Sequence, residues 1–238
     1  GTHVAGTIGA SGNNNRGVVG VAQSVRIAAC KFLSRSGSGA NSDAIQCLEY
    51  FAALKSRPNN PVNLIATNNS WGGGSSSQAL SDAIKAHEAL GILFIAAAGN
   101  ETNNNDINDR FPSNYPISNV ISVAATDATD KLASFSNWGA KTVHVAAPGV
   151  KVLSTLPGNK YGELSGTSMA TPHVTGLAAV IASHYRGLNY TGIKNLIMAG
   201  GQRVASTLNT TISGRRIRGA DDFGIGSLTC LDQVLSIR

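Results

Sequence analysis

Apolar runs alternate with amphipathic stretches along most of the chain, and this alternation constrains the fold more than any other feature of the sequence. Residues 25–33, 62–68, 92–97 and 120–125 read as strands, with shorter ones at 143–146 and 150–154. Between them lie helical patterns. Ala44, Cys47, Leu48, Phe51 and Leu54 fall at three- and four-residue spacing within 43–56, and 78–90 reads as a helix with Ser77 as its N-cap. Residues 168–185 are small or apolar on nearly every side, which predicts a buried helix, and 191–198 predicts one more. Strand–helix order of this kind implies an α/β fold: a mostly parallel central sheet covered on both faces, three layers in all. No linker or internal repeat divides the chain, and 103–109 is a polar surface loop.

Composition excludes several classes. With 42% hydrophobic and only 13% charged residues, the 238-residue chain has too much apolar content for a disordered protein and enough length for a sizeable core. No apolar run approaches the ~18 residues of a membrane span. The net charge of +6 comes from scattered residues, and its one cluster (Arg215, Arg216, Arg218) reads as a solvated loop, so nucleic acid is not an expected partner. Cys30, Cys47 and Cys230 are odd in number and lack metal-ligand spacing, against a disulfide framework or zinc site; one bridge plus a free thiol stays open. The chain opens on Gly1-Thr2-His3-Val4-Ala5-Gly6, with neither an initiator Met nor a signal-peptide pattern, and its beginning is expected to be missing.

Ligands of open α/β sheets gather beyond the carboxyl ends of the strands. Polar and glycine-rich sequence stands at three such exits: Asn68-Asn69-Ser70-Trp71-Gly72, Gly99-Asn100-Glu101 and Ser36-Gly37-Ser38-Gly39. The strongest chemical signal is Gly166-Thr167-Ser168-Met169-Ala170-Thr171-Pro172-His173-Val174. Proline is tolerated in a helix's first turn, so a helix is expected to start near Thr167 or Ser168. That places the Ser168 hydroxyl at the positive end of a helix dipole. A lone Ser there would read as an N-cap.

The surrounding residues say more. That segment resembles the nucleophile motif of the subtilisin-like serine proteases, the subtilase family. Gly1-Thr2-His3-Val4-Ala5-Gly6 is similar to the family's histidine motif, Ala96-Ala97-Ala98-Gly99-Asn100 to its oxyanion segment and Asn69-Ser70-Trp71-Gly72 to its substrate strand. The four stand in family order, and Gly224-Ile225-Gly226-Ser227-Leu228 resembles the closing segment, so the whole chain, 1–238, reads as one partial catalytic domain. The resemblance implies a serine endopeptidase. Ser168 would be the nucleophile and Asn100 the side-chain oxyanion donor. Ser70, Trp71 and Gly72 on one side, and Gly37, Ser38 and Gly39 on the other, would pair with substrate backbone. It also implies protein or peptide substrates, an inhibitory propeptide, secretion and a monomer, with no cofactor needed for the chemistry.

The family's catalytic His stands immediately before the Gly-Thr-His-Val-Ala-Gly motif, and its Asp earlier still, so both fall outside this chain. His3 is the motif's second histidine; His173 lies about 140° round the helix from Ser168; His87 falls in an exposed-looking stretch and His184 ends the long helix. The chain alone is therefore expected to be inactive. A non-catalytic peptide-binding domain is the alternative reading, and a nucleotide-binding domain fails because no Lys follows the glycines at 72–74.

The resemblance also touches secondary sites. Residues 12–17 are similar to a calcium loop, which makes Asn14 a candidate ligand of a structural calcium beside the reading of a plain Asn-rich turn. A second cation site of some relatives uses an Asp where this chain has His144. Arg110 falls where a segment similar to 110–116 reaches the floor of the S1 pocket. Either it narrows that pocket and favours an acidic or small P1 residue, or it points to solvent beside Asp106 or Asp109. The sequons at Asn68 and Asn100 fall in the expected cleft and read as chance, while those at Asn189 and Asn209 read as surface sites.

Overall fold

A computed structural model describes residues 1–219 of the chain. Its helices are α1 (Thr2–Gly9), α2 (Asn41–Lys55), α3 (Gln78–Ala89), α4 (Thr167–His184) and α5 (Tyr190–Gly200). Its strands are β1 (Ala66–Asn69), β2 (Leu93–Ala97), β3 (Val120–Thr126), β4 (Val145–Pro148), β5 (Val152–Leu156), β6 (Lys160–Leu164), β7 (Gln202–Arg203) and β8 (Arg215–Arg216). The main sheet runs β1-β2-β3-β4-β8-β7, and its first four strands are mutually parallel. β5 and β6 form a separate antiparallel hairpin, of which the sequence pattern showed only the first strand.

Both faces of the sheet are covered, as the alternation predicts. β2 and β3 are buried at every residue. Because side chains alternate across a strand, Leu93, Ile95, Ile121 and Val123 pack with Val174, Leu177 and Ile181 of α4 and with Ile193 and Ile197 of α5. Phe94, Ala96 and Val120 face the other way, onto Leu48 of α2 and Leu80 and Ile84 of α3. Each fully buried side chain of this size contributes roughly 1.5–3 kcal/mol. α3 starts where expected, with Ser77 Oγ accepting the Leu80 N–H, and Asn189 caps α5 in the same way through Gly192.

Three expectations are corrected. Residues 25–33 form no strand: a strand needs a neighbour for its N–H and C=O groups, and no described residue supplies one. The segment is instead tied to α2 by a Cys30–Cys47 disulfide, so one bridge exists; Cys230 and the closing segment 224–228 lie outside the described residues. Pro172 stands in the second turn of α4, not the first. His87 is not exposed: it is fully buried, with its ring Nε2 2.8 Å from Leu48 O, which joins α3 to α2.

His144, just before β4, makes a second polar junction. The Ser122 N–H donates to its Nδ1 at 3.1 Å, so the neutral ring carries its proton on Nε2. That atom lies 3.1 Å from Lys194 Nζ, which also approaches Ser118 O at 2.9 Å and Val120 O at 2.6 Å. A neutral amine satisfies all three, giving two protons to the carbonyls and accepting the third; an ammonium would meet the imidazole donor to donor. Burial, helped by the neighbouring Lys194 charge, pushes His144 from 6.5 down to about 3. Burial likewise pushes Lys194 from 10.5 down to about 8, against an upward pull from Glu88. Both groups bind fewer protons folded than unfolded, so both contributions fall as pH falls. The His144 contribution is whole above pH 6.5 and is lost toward pH 3; that of Lys194 is whole above pH 10.5 and is lost toward pH 8. Denaturant unfolding from pH 4 to 10 is expected to show stability rising with pH above 8 in the unaltered chain relative to Lys194→Met, and a constant difference there would refute the assignment.

Candidate active site

The parallel register sends the ends of β1, β2 and β4 to one edge of the sheet, and the N-terminus of α4 is tied into that edge. Thr167, fully buried, does most of the tying. Its Oγ1 accepts the Gly99 N–H at 3.2 Å and donates to Asn100 Oδ1 at 3.0 Å, and its own N–H donates to the same Oδ1 at 2.8 Å. Gly166, which caps the helix, donates its N–H to Gly149 O just beyond β4. Gly99 has to be glycine: its φ is +115°, and a Cβ there would lie 2.2 Å from Asn137 Nδ2.

These bonds decide which donors remain. Thr167 N–H is engaged by Asn100, and Met169 and Ala170 N–H bond to Gly166 O. The N–H of Ser168 has no partner among the described residues, and neither has Asn100 Nδ2, since Oδ1 is the amide atom turned toward Thr167. Two donors at a helix N-terminus thus stand beside the Ser168 hydroxyl, in a cavity of about 210 Å³. A serine with such donors suits acyl transfer, in which charge develops on a carbonyl oxygen.

The Ser168 main chain is held by an exchange that Pro172 makes necessary. Proline has no N–H to give the carbonyl four residues back, which is Ser168 O. Ser70 Oγ donates to that carbonyl at 2.9 Å, and Ser168 Oγ donates to Ser70 O at 3.3 Å. This last bond is the only one the Ser168 hydroxyl makes among the described residues. No histidine reaches it: His3 Nε2 lies between Val152 O and Gly162 O of the hairpin, His173 Nδ1 bonds to Met169 O, and His184 packs its ring against Tyr185.

The other candidates divide. Trp71 and Gly72 line the cavity with Ser168 and Asn100, and the Trp71 ring stands edge-on to Phe32 and Phe94. Gly37, Ser38 and Gly39 do not line it; they form an exposed turn in which Ser38 O accepts the Ser34 N–H. Arg110 lines the cavity, and its ion-pair partner is Glu101 at 3.5 Å, neither Asp106 nor Asp109. Asn14 is engaged in its own turn, with Oδ1 accepting the Arg16 N–H and Nδ2 donating to Ser11 O. No carboxylate lies in 11–17, and no cluster of three or more metal-ligating side chains exists among the described residues. The Asn14 bonds are those of an Asn-rich turn in an exposed loop.

Sequence reasoning missed Thr167, Glu101 and Asn137. Thr167 lay inside the quoted motif, where a role through hydrogen bonding leaves no periodic trace. Asn137, fully buried, accepts the Glu101 and Asn103 N–H groups and donates to Ala98 O and Glu101 Oε2. Its contacts are all distant in sequence and have no spacing signal.

Comparison with known proteins places the chain in a family. The Peptidase S8 subtilase family matches residues 1–213. The chain is 43% identical over 196 residues to subtilisin DY of Bacillus licheniformis, covering 82% of this chain and 67% of that protein. It is 44% identical over 197 residues to a thermostable alkaline protease of Halalkalibacterium halodurans, covering 83% of this chain and 50% of the relative. The crystal structure of a cold-adapted subtilisin-like serine proteinase superposes with a TM-score of 0.77 at 35% identity, covering 92% of this chain and 74% of that one. The chain belongs to the subtilase family, and it spans half to two thirds of the length of these two curated relatives.

The exchange at Ser70 has a direct test. Ser70→Ala leaves a partly buried carbonyl without its donor and is expected to cost about 1 kcal/mol in denaturant unfolding. In a Pro172→Ala background the helix supplies its own N–H to Ser168 O, and the same change is expected to cost less than half as much. Equal costs in the two backgrounds would show that Pro172 and Ser70 are uncoupled.

Proposed function

We propose that this chain carries the nucleophile and oxyanion half of a serine endopeptidase site. The observation that carries the reading is the pair of unengaged donors, Ser168 N–H and Asn100 Nδ2, beside the Ser168 hydroxyl. Ser168 Oγ attacks the carbonyl carbon of a peptide bond, and the two donors stabilise the oxygen as it becomes negative. The hydroxyl proton passes to a general base outside the described residues, so the chain by itself is inactive. Ser70, Trp71 and Gly72 hold one side of an extended substrate backbone and Gly37, Ser38 and Gly39 the other. The substrate is protein, and the reaction needs no cofactor. Secretion, an inhibitory propeptide and a monomeric state follow from family resemblance alone.

One observation favours a second reading. Among the described residues Ser168 Oγ contacts only Ser70 O, and a cleft that never acquires a base would bind peptides without cutting them. Fluorophosphonate labelling separates the two. The whole protein that carries this chain is expected to be labelled at Ser168, located by mass spectrometry, while the 238-residue chain and both Ser168→Ala variants are not. Absence of label from the folded whole protein, freed of any propeptide, would leave the binding domain as the function.

A further inference from the structure

The cavity that Ser168 lines also holds two opposite charges whose hydrogen bonding is unequal. Glu101 is fixed from behind. Its Oε2 accepts the Asn100 N–H at 3.0 Å and Asn137 Nδ2 at 2.8 Å. Asn137 is fully buried and held by three further bonds, so the carboxylate has a rigid seat. Arg110 approaches that same oxygen only at 3.5 Å, and this is its side chain's one polar contact among the described residues. An oxygen already accepting two closer donors is a poor third partner, so most of the guanidinium's planar fork of N–H donors is left facing solvent and the cavity. Its side chain is 33% exposed.

The remaining wall carries no further charge, and it includes the apolar rings of Trp71 and Phe111. Gly72, Gly73, Ala97 and Ala98 contribute little more than backbone, and Ser113 Oγ is turned away onto Arg110 O. A side chain entering the cavity therefore meets a carboxylate with one oxygen held by Asn100, Asn137 and Arg110, and a cation most of whose donors are unengaged. A cationic side chain reaching the other oxygen of Glu101, Oε1, would meet the Arg110 charge beside it. An anionic one reaches Arg110 directly and gains charge-assisted hydrogen bonds of the geometry guanidinium favours.

We propose that this cavity selects an acidic side chain on the residue whose carbonyl is attacked, with Arg110 as its anion-binding group and Glu101 as a seated counter-charge that tempers the preference. The proposal rests on the reading of Ser168 and Asn100 as the reacting pair, because that places the cavity beside the scissile bond. It names the substrate class: polypeptides with Glu or Asp before the cleaved bond.

Binding tests it without requiring turnover. Two capped tetrapeptide amides, identical except for a last residue of Glu or its neutral isostere Gln, are titrated calorimetrically into the 238-residue chain at pH 7 and low ionic strength, where screening is weak. The Glu peptide is expected to bind about tenfold more tightly, the scale of one charge-assisted contact at a partly exposed site. The advantage is expected to vanish in Arg110→Gln and to grow several-fold in Glu101→Gln, whose amide oxygen keeps the bonds to Asn100 and Asn137. Equal binding of both peptides, or an unchanged advantage in Arg110→Gln, overturns the proposal and leaves the peptide cleft standing. Binding of neither peptide overturns the proposal and the cleft together.

Discussion

The site depends on the burial of α4. A helix small or apolar on nearly every side has no solvent face to turn toward, so the sheet, α1 and α5 hold its axis and rotation. Its N-terminus can then lie only where the parallel strands end. There the backbone has left the ladder and its polar groups need other partners. Thr167, Asn100 and Gly166 are those partners, and in engaging some groups they determine which others stay open. The unengaged donors at Ser168 and Asn100 thus follow from closing the junction between β2 and α4 rather than being an addition to it.

The same logic runs through the electrostatics. The N-terminus of α4 presents partial positive charge, and no described carboxylate hydrogen-bonds to it. The nearest acid of consequence, Glu101, is turned onto the Asn100 N–H and Asn137 instead. An acid left loose beside Ser168 would compete with a developing oxyanion for the donors. Asn137 reaches back to Ala98 O and forward to Asn103 N–H, so holding Glu101 is linked to holding the whole exit of β2. Preorganisation here is a property of buried amide bonds that do not reorient during a reaction.

Much of this was legible in the sequence because it rests on local pattern. The parallel strands and the four longer helices follow from periodicity and capping residues. Asn100 and Ser168 were legible through motifs that are contiguous in the chain. What could not be read depends on partners far apart in sequence. Residues 25–33 have the composition of a strand, yet pairing is decided by a neighbour and not by the segment itself. His87 sits on a helix stretch that looks exposed until α2 packs over it and offers Leu48 O. Arg110 was ambiguous between pocket and solvent because its nearest acids in sequence, Asp106 and Asp109, are engaged elsewhere: Asp106 by Thr142 and the Lys141 N–H, Asp109 by Asn114.

The state of Ser168 itself shows how separable the two halves of such a site are. Its hydroxyl rests on Ser70 O through a bond of 3.3 Å, longer than the usual hydroxyl bond of about 2.7–2.8 Å and correspondingly weak. A stronger acceptor arriving at the cleft would take the proton's direction from Ser70 at little cost, while Ser70 Oγ would keep its own bond to Ser168 O. The Ser168 backbone, its N–H and the Asn100 amide are all positioned by contacts within the described residues. On the proposed reading, binding and oxyanion stabilisation would be set by residues described in this chain, and turnover would further require one proton acceptor within reach of Ser168 Oγ.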